Sequence, residues 1–450
     1  MNCKKILALL LTLVMLVTVL PMGALTVSAE STTEFLGGDG TEESPYLISN
    51  KTHLNNVRNH PGSHFKMVAD IVFTEADFAE KGDYYNNGQG WQPIGTGENT
   101  SFTGVFDGDG HTIKGLYVNI QTTDEYIYAG LFGYNEGTIK NLGMLDGSVS
   151  ASSDSSSYAG GIAGYNFYGT ISNCYNMGNV SASSDSYSDS YSSSSAGGIA
   201  GENDGTISNC YNTGSVSATA TSTSSSSSSH AGGIAGDNSY GRSIRDCYNT
   251  GSVSATSDSY SYAGGIAGYN GGTISNCYNT GSVSSTASSS DSYAGGIAGR
   301  NNGTISNCYN TGSASASVSV SASSSDSYAG GIAGWNNGTI SNCYNTGSVS
   351  SSSSYSYAGG IAGLNFNGGT GGTIRNCYNA GSVSASSSSR SNAGGIAGRN
   401  DGTISNCYNI GSVSPSSYSS SYAGGIAGYN DGTGTISNCY NTGSVSSSSS

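Results

Sequence analysis

Cysteine recurs along this chain with a spacing that asks for a chemical explanation. After an isolated Cys3, it appears at Cys174, Cys210, Cys247, Cys277, Cys308, Cys343, Cys377, Cys407 and Cys439, with successive separations of 36, 37, 30, 31, 35, 34, 30 and 32 residues. Disulfides, a metal centre and plain packing are the three chemistries open to such a series. Nine thiols cannot all pair within one chain. Zinc would require closely spaced cysteine pairs, and none occurs, while His53, His60, His64, His111 and His230 are scattered. Stacked one coil apart, at ~4.8 Å, the Cα atoms would fall within disulfide range, but parallel side chains would hold their Cβ atoms slightly too far apart. A buried ladder of free thiols is therefore expected, with partial pairing as the alternative. No metal or other cofactor is implied.

A tyrosine follows every one of these cysteines: Tyr175, Tyr211, Tyr248, Tyr278, Tyr309, Tyr344, Tyr378, Tyr408 and Tyr440. Facing outward in register, such rings would stack on one another and brace the structure. The same row could serve as a flat aromatic track for the apolar faces of sugars. A second column changes identity while its neighbours hardly do: Tyr165, Glu202, Asp237, Tyr269, Arg300, Trp335, Leu364, Arg399 and Tyr429. A solvated turn accounts for that variation, and so does a recognition surface, since Tyr, Trp and Arg are common binding anchors. Asp107, Gly108, Asp109 and Gly110 have the composition of a calcium loop, but no Glu completes the pattern, and a tight turn is expected. Hydrolysis or elimination on a polysaccharide would need acids and bases grouped on one wall. The repeats offer Ala, Gly, Ser and Thr instead, so a non-enzymatic protein is expected.

The elements that position these residues are set by the repeat. Nine copies of A-G-G-I-A-G begin at Ala159, Ala196, Ala231, Ala263, Ala294, Ala329, Ala358, Ala393 and Ala423, each followed by an Asn, a G-T-I-S-N-C-Y-N string or near variant, and G-S-V-S. Two looser versions precede them, around Phe106 and Phe132. Repeats of this length mean stacked units, and Gly-Gly pairs, β-branched residues and the lack of a helical stripe make the units strands. The predicted fold is all-β: a parallel β-solenoid of about eleven coils, three short strands to a coil. In the first cysteine-bearing unit these are residues 159–163, 170–174 and 179–182, with turns at 164–169 and 176–178. Ile162, Ile171, Cys174 and Val180 would fill the interior. Ile171 and Cys174 are three apart, which a flat strand cannot aim to one side, so a bend at Asn173 in the left-handed conformation is predicted, repeated as an asparagine ladder. Ser-rich inserts such as 183–195, 219–229 and 315–327 follow the third strand and read as solvated loops along one edge.

Three parts follow from this reading. Residues 1–29 form a signal peptide, with Lys4 and Lys5, an apolar run and a cut after Ala29, so a secreted or cell-surface location is expected with no membrane span in the mature chain. Residues 30–99 form an N-terminal cap that holds a short helix near Leu54 and Val57 and a strand at 64–73. Residues 100–450 form the solenoid, with no cap visible after Val445. Loss of Lys4 and Lys5 takes the net charge from −15 to −17, which excludes nucleic acid as a partner.

The chain resembles the GLUG-motif proteins, repeat-bearing surface proteins of bacteria. The residues that carry the likeness are Gly130-Leu131-Phe132-Gly133 with Gly137-Thr138-Ile139, the nine G-G-I-A-G copies, the leader from Gly40 to Ile48, and Trp91-Gln92-Pro93-Ile94-Gly95 ahead of Phe102 to Gly108. The resemblance implies a right-handed β-helix in an adhesin-like surface protein without activity of its own. Glycans or cell-surface and matrix proteins are the expected partners. A polysaccharide-active β-helix enzyme and a passive stalk of a longer protein are the alternatives. Some relatives attach such repeats to a metallopeptidase, but H-E-x-x-H is missing here, as is an L-P-x-T-G tail.

Overall fold

One column of side chains runs through the structure from rung to rung. Tyr46 pairs in parallel register with Phe65, Phe65 with Phe106, Phe106 with Ile139, and then come Ile171, Ile207, Ile244, Ile274, Ile305, Ile340, Ile374, Ile404 and Ile436. The column is buried from Phe65 to Ile404. No coil could bury its few apolar side chains alone, and stacking joins them into a single core. The computed structural model describes residues 34–123, 126–186, 192–222, 226–319, 325–368 and 371–449. The expected leader and its cut after Ala29 lie outside these residues. From Phe35 onward the chain is a parallel β-solenoid with three walls.

The first wall is made by strands such as Ala163–Ser172, or in later coils by pairs such as Ala267–Asn270 and Thr273–Ser275. The second wall holds two-residue strands, Tyr175–Asn176 and its successors. The third holds an outgoing and a returning strand in each coil, such as Val253–Ser257 and Tyr260–Gly264. Ahead of the repeats, Tyr46–Ile48 and His64–Met67 extend the first wall, so residues before 100 continue the same sheet with aromatic rather than Ile rungs. The short helix is present at Lys51–Asn56, capped by Asn50 whose side chain accepts from the His53 amide; it buries Leu54, and Val57 is buried in the 3-10 turn that follows. The strand expected over 64–73 is two strands, His64–Met67 and Ile71–Val72, on different walls.

The corners explain the repeat. Asn173 has φ 54°, and its counterparts Asn209, Asp246, Asn276, Asn307, Asn342, Asn376, Asn406 and Asn438 lie at 52–56°. This is the predicted bend, and it turns Cys174 inward, where it is buried beside Ile171. The expected strand over 159–163 is instead broken by a corner. Strand Ser156–Gly160 ends on the third wall and Ala163 begins the first, with Gly161 and Ile162 between. A Cβ on Gly161 would lie 2.4 Å from the Gly198 carbonyl oxygen, so only glycine allows successive coils to stack there. The turn expected over 164–169 is strand in this coil, with a register shift between Phe167 and Thr170. Asp107 to Gly110 is the tight turn expected, closed by the Asp109 amide donating to Asp107 Oδ1.

The Ser-rich inserts are not loops where the structure describes them. They lengthen the third wall: Asn179–Ser186 goes out, Ser192–Gly197 returns, and Val383–Gly394 is one continuous strand. Ala182, Ser184 and Ser186 face inward, as do Ser192, Ser194 and Ala196. Ser285 and Ser292, on the two strands of one coil, meet hydroxyl to hydroxyl at 2.9 Å. Only residues this small allow two strands of a coil to pack face to face; some of the buried hydroxyls find a partner opposite, while those of Ser184 and Ser194 have none.

Two further asparagine ladders lie inside. One runs from Asn135 through Asn166, Asn203 and Asn238 to Asn430; the other runs from Asn176 through Asn212 and Asn249 to Asn441. In both, each Nδ2 donates to the next Oδ1 at 2.7–2.9 Å, and in most rungs it also donates to a nearby carbonyl. The buried amides are thereby satisfied, which removes the cost of taking them out of water.

Candidate functional site

The second wall presents its tyrosines outward because its strands are two residues long: Asn176 turns in to its ladder and Tyr175 must turn out. From Tyr175 to Tyr440 the ring centroids are 4.7–5.2 Å apart, with planes within 5° of parallel. The rings shield one another, and this loss of solvent raises the phenol pKa of Tyr211, Tyr278, Tyr309 and Tyr378. Tyr175 lies over Gly143 of the preceding coil, where a Cβ would meet its ring. All nine tyrosines singled out in the sequence thus form one half-exposed ladder.

The variable column is not a solvated turn. Tyr165, Glu202, Asp237, Tyr269, Arg300, Trp335, Leu364, Arg399 and Tyr429 sit in register on strands of the first wall. They pack against a column that the sequence reading passed over, the residue just before each A-G-G-I-A-G copy. Its members include Tyr158, Ser195, His230, Tyr262, Tyr293, Tyr328, Tyr357, Asn392 and Tyr422. Tyr262, Tyr293, Tyr328 and Tyr357 stack at 4.8–5.1 Å and are buried, with Leu364 among them. Trp335 tilts against Tyr293 and Tyr328, and the Arg300 guanidinium lies 5.1 Å from the Trp335 ring. Returning strand and first wall therefore meet at an elbow whose outer angle is filled by these two columns. A recurrent Tyr at one fixed offset from a constant motif was the available signal.

Toward its N-terminal end the elbow becomes polar. Ser195 donates to Asp237 at 2.5 Å, His230 Nδ1 lies 2.6 Å from the other Asp237 oxygen, and Ser228 lies 2.7 Å from His230 Nε2. Burial, and then the charges of Asp237 and Asp204, push the neighbouring Glu202 carboxyl up to about 8. Tyr165 donates to Asp204 at 2.7 Å. Near the other end Arg399 bridges Asp401 and Asp431, both at 2.8 Å.

The cysteines form the inward ladder. Each of the nine is a free thiol whose Sγ lies 3.1–3.2 Å from the carbonyl two residues earlier. Burial raises the pKa of Cys210 and Cys247. Among the described residues, no three His, Cys, Asp or Glu side chains converge as metal ligands.

A family profile described as the GLUG motif matches residues 155–181, 192–217, 259–284, 290–316, 325–350, 389–414 and 419–446. This chain is a GLUG-motif repeat protein. Each GLUG match begins near the returning strand and takes in the elbow, the first wall, the cysteine corner and the outward tyrosine. The serine tips lie between matches. The coils that start at Ala231 and Ala358 fall outside the matched segments, yet they pair in register with their GLUG neighbours. Similar proteins include a "Putative Gly-rich membrane protein" of Evansella cellulosilytica, 40% identical over 31% of this chain. Another is "Halomucin" of Haloquadratum walsbyi, 32% identical over 32% of this chain. The GLUG chain spans 15% of the first and 2% of the second. A crystal structure of a "putative immunoglobulin A1 protease" from Bacteroides ovatus is 30% identical at a TM-score of 0.47, over 62% of this chain and 78% of that one. Among the described residues, no helix is long and apolar enough to cross a membrane.

Proposed function

We propose that this GLUG chain is a secreted or surface-exposed, non-enzymatic repeat scaffold that binds glycans on host or neighbouring cells through its tyrosine ladder. The observation that carries the reading is the near-parallel, half-exposed row from Tyr175 to Tyr440. Stacked face on face, the rings present their edges and phenol hydroxyls, which repeat at every rung and offer the same apolar contact and hydrogen bond to each successive part of a polymer. The names of the two similar proteins, a membrane protein and a halomucin, favour a place at the cell boundary. The acidic composition disfavours nucleic acid.

The test is a glycan array probed with the chain from Phe35 onward and with a Tyr248→Ala/Tyr309→Ala/Tyr378→Ala variant. Binding to polysaccharide is expected, weakened at least about ten-fold in the variant, which corresponds to ~1.4 kcal/mol. Equal binding by both proteins removes the ladder from the claim. Binding of nothing on the array leaves a passive stalk, and release of reducing ends or unsaturated products establishes a polysaccharide-active enzyme instead.

A further inference from the structure

The elbow is closed at its N-terminal end, and the closure builds a pocket. Residues Trp91 to Gly95 of the segment ahead of the repeats lie across the first full coil. Ile94 exchanges backbone hydrogen bonds with it, donating to the Leu131 carbonyl and accepting from Gly133, and the Trp91 indole donates to the same Leu131 carbonyl. Just outside this strap is a cavity of about 290 Å³ lined by Gln89, Gln92, Thr96, Gln121, Tyr126 and Tyr128. Tyr128 begins the elbow's aromatic column, stacked on Tyr158 at 5.3 Å and on Tyr165 at 5.6 Å.

We propose that this pocket binds the terminal ring of a neutral saccharide. Three glutamine amides and a threonine hydroxyl line it; Gln89 Nε2 donates to the Gln121 backbone carbonyl and Gln121 Nε2 to Asn119 Oδ1, so their amide oxygens and second amide hydrogens, with the Gln92 amide, are what vicinal hydroxyls would meet. Tyr126, 57% exposed, and Tyr128 supply ring surface for the sugar's apolar face. Among the described residues no charged side chain lines the cavity, so this lining offers no ion pair to a phosphate, a carboxylate or an ammonium group. Its volume sits at the lower edge of ligand pockets, ~300–1,000 Å³, and suits one ring rather than a length of polymer. The loop that carries Gln89 turns through Asn86 at φ 41° and Asn87 at φ 54°, a residue type that takes the left-handed conformation readily.

The inference shares with the proposed function the premise that the chain binds glycans, but it concerns a different site, and its test is separate. Methyl glycosides of glucose, galactose, mannose and N-acetylglucosamine are too small to use a repeating ladder. Saturation-transfer NMR with the chain from Phe35 onward is expected to show binding of at least one of them. Tyr126→Ala and Gln121→Leu each weaken that binding at least ten-fold while leaving the circular dichroism and melting curve unchanged. No transfer to any of the four overturns the pocket, as does undiminished binding in both variants. Loss of methyl glycoside binding in the ladder variant Tyr248→Ala/Tyr309→Ala/Tyr378→Ala would put the contact on the ladder and overturn it too. Polymer binding lost only in that ladder variant, with methyl glycosides still bound, supports both sites at once.

Discussion

Glu202 holds its proton to about pH 8 because it is packed into the elbow and faces Asp237 and Asp204. An unfolded chain releases a glutamate proton near ~4.3. Between those two values the folded state carries a proton that the unfolded state has lost, so this residue's effect on stability becomes steadily less favourable as pH rises through the window. Glu202→Gln stays neutral throughout and removes the effect. Its melting temperature is expected to match that of the parent below about pH 4 and to exceed it increasingly up to pH 9, by a few degrees; a constant difference at all pH values refutes the assignment. The sequence showed Glu202 only as one member of a variable column. Its burial depends on the tyrosine column opposite, which belongs to a different strand of the coil.

At the level of elements, the cysteine corner was readable because two inward residues three apart cannot share a flat strand, and Asn173 was the residue able to turn between them. The serine arms were not readable, for a definite reason: alternation is the sign of a strand, and it vanishes when both faces carry the same residue. Ser183 faces out and Ser184 in, with nothing in their identities to say so. The inner asparagine ladders were hidden in another way, since Asn166 and Asn176 looked like turn residues and only stacking supplies the amide each one needs. The A-G-G-I-A-G unit reads as a strand, although its second glycine marks a corner. Gly296 tests that corner. A Cβ there would stand 2.2 Å from the Gly331 carbonyl and 2.3 Å from Cγ of Asn310. Gly296→Val is expected to cost at least about 3 kcal/mol, the upper range for overpacking, and hydrogen exchange should show protection lost in the coils on either side of it. Normal protection there would mean that the coils are not in contact at this corner.

Over the whole molecule, the strand pairings reach from one coil to the next, and a side-chain bond across two coils, from Asn302 Nδ2 to the Tyr240 hydroxyl at 3.2 Å, is an exception, so stability is set by neighbours rather than by the full chain. Cys277 and Cys308 are separated by 31 residues and occupy equivalent places. Excising 277–307 joins Asn276 to Cys308 and lets every wall, ladder and corner meet its counterpart. The shortened protein is expected to keep the parent's circular dichroism per residue and a cooperative melt, whereas an excision ten residues shorter should break the register and unfold the adjoining coils. If both excisions behave alike, the in-register stack is wrong.

That interchangeability has a consequence for how such a protein can change over generations. Near-identical coils are encoded by near-identical stretches of gene, and recombination between them adds or drops whole units. Each event moves the far end by ~4.8 Å and gains or loses one ring of the outer row, with no new fold to be found. Reach and the number of outward rings can thus be tuned by copy number alone, while the strapped end stays as it was.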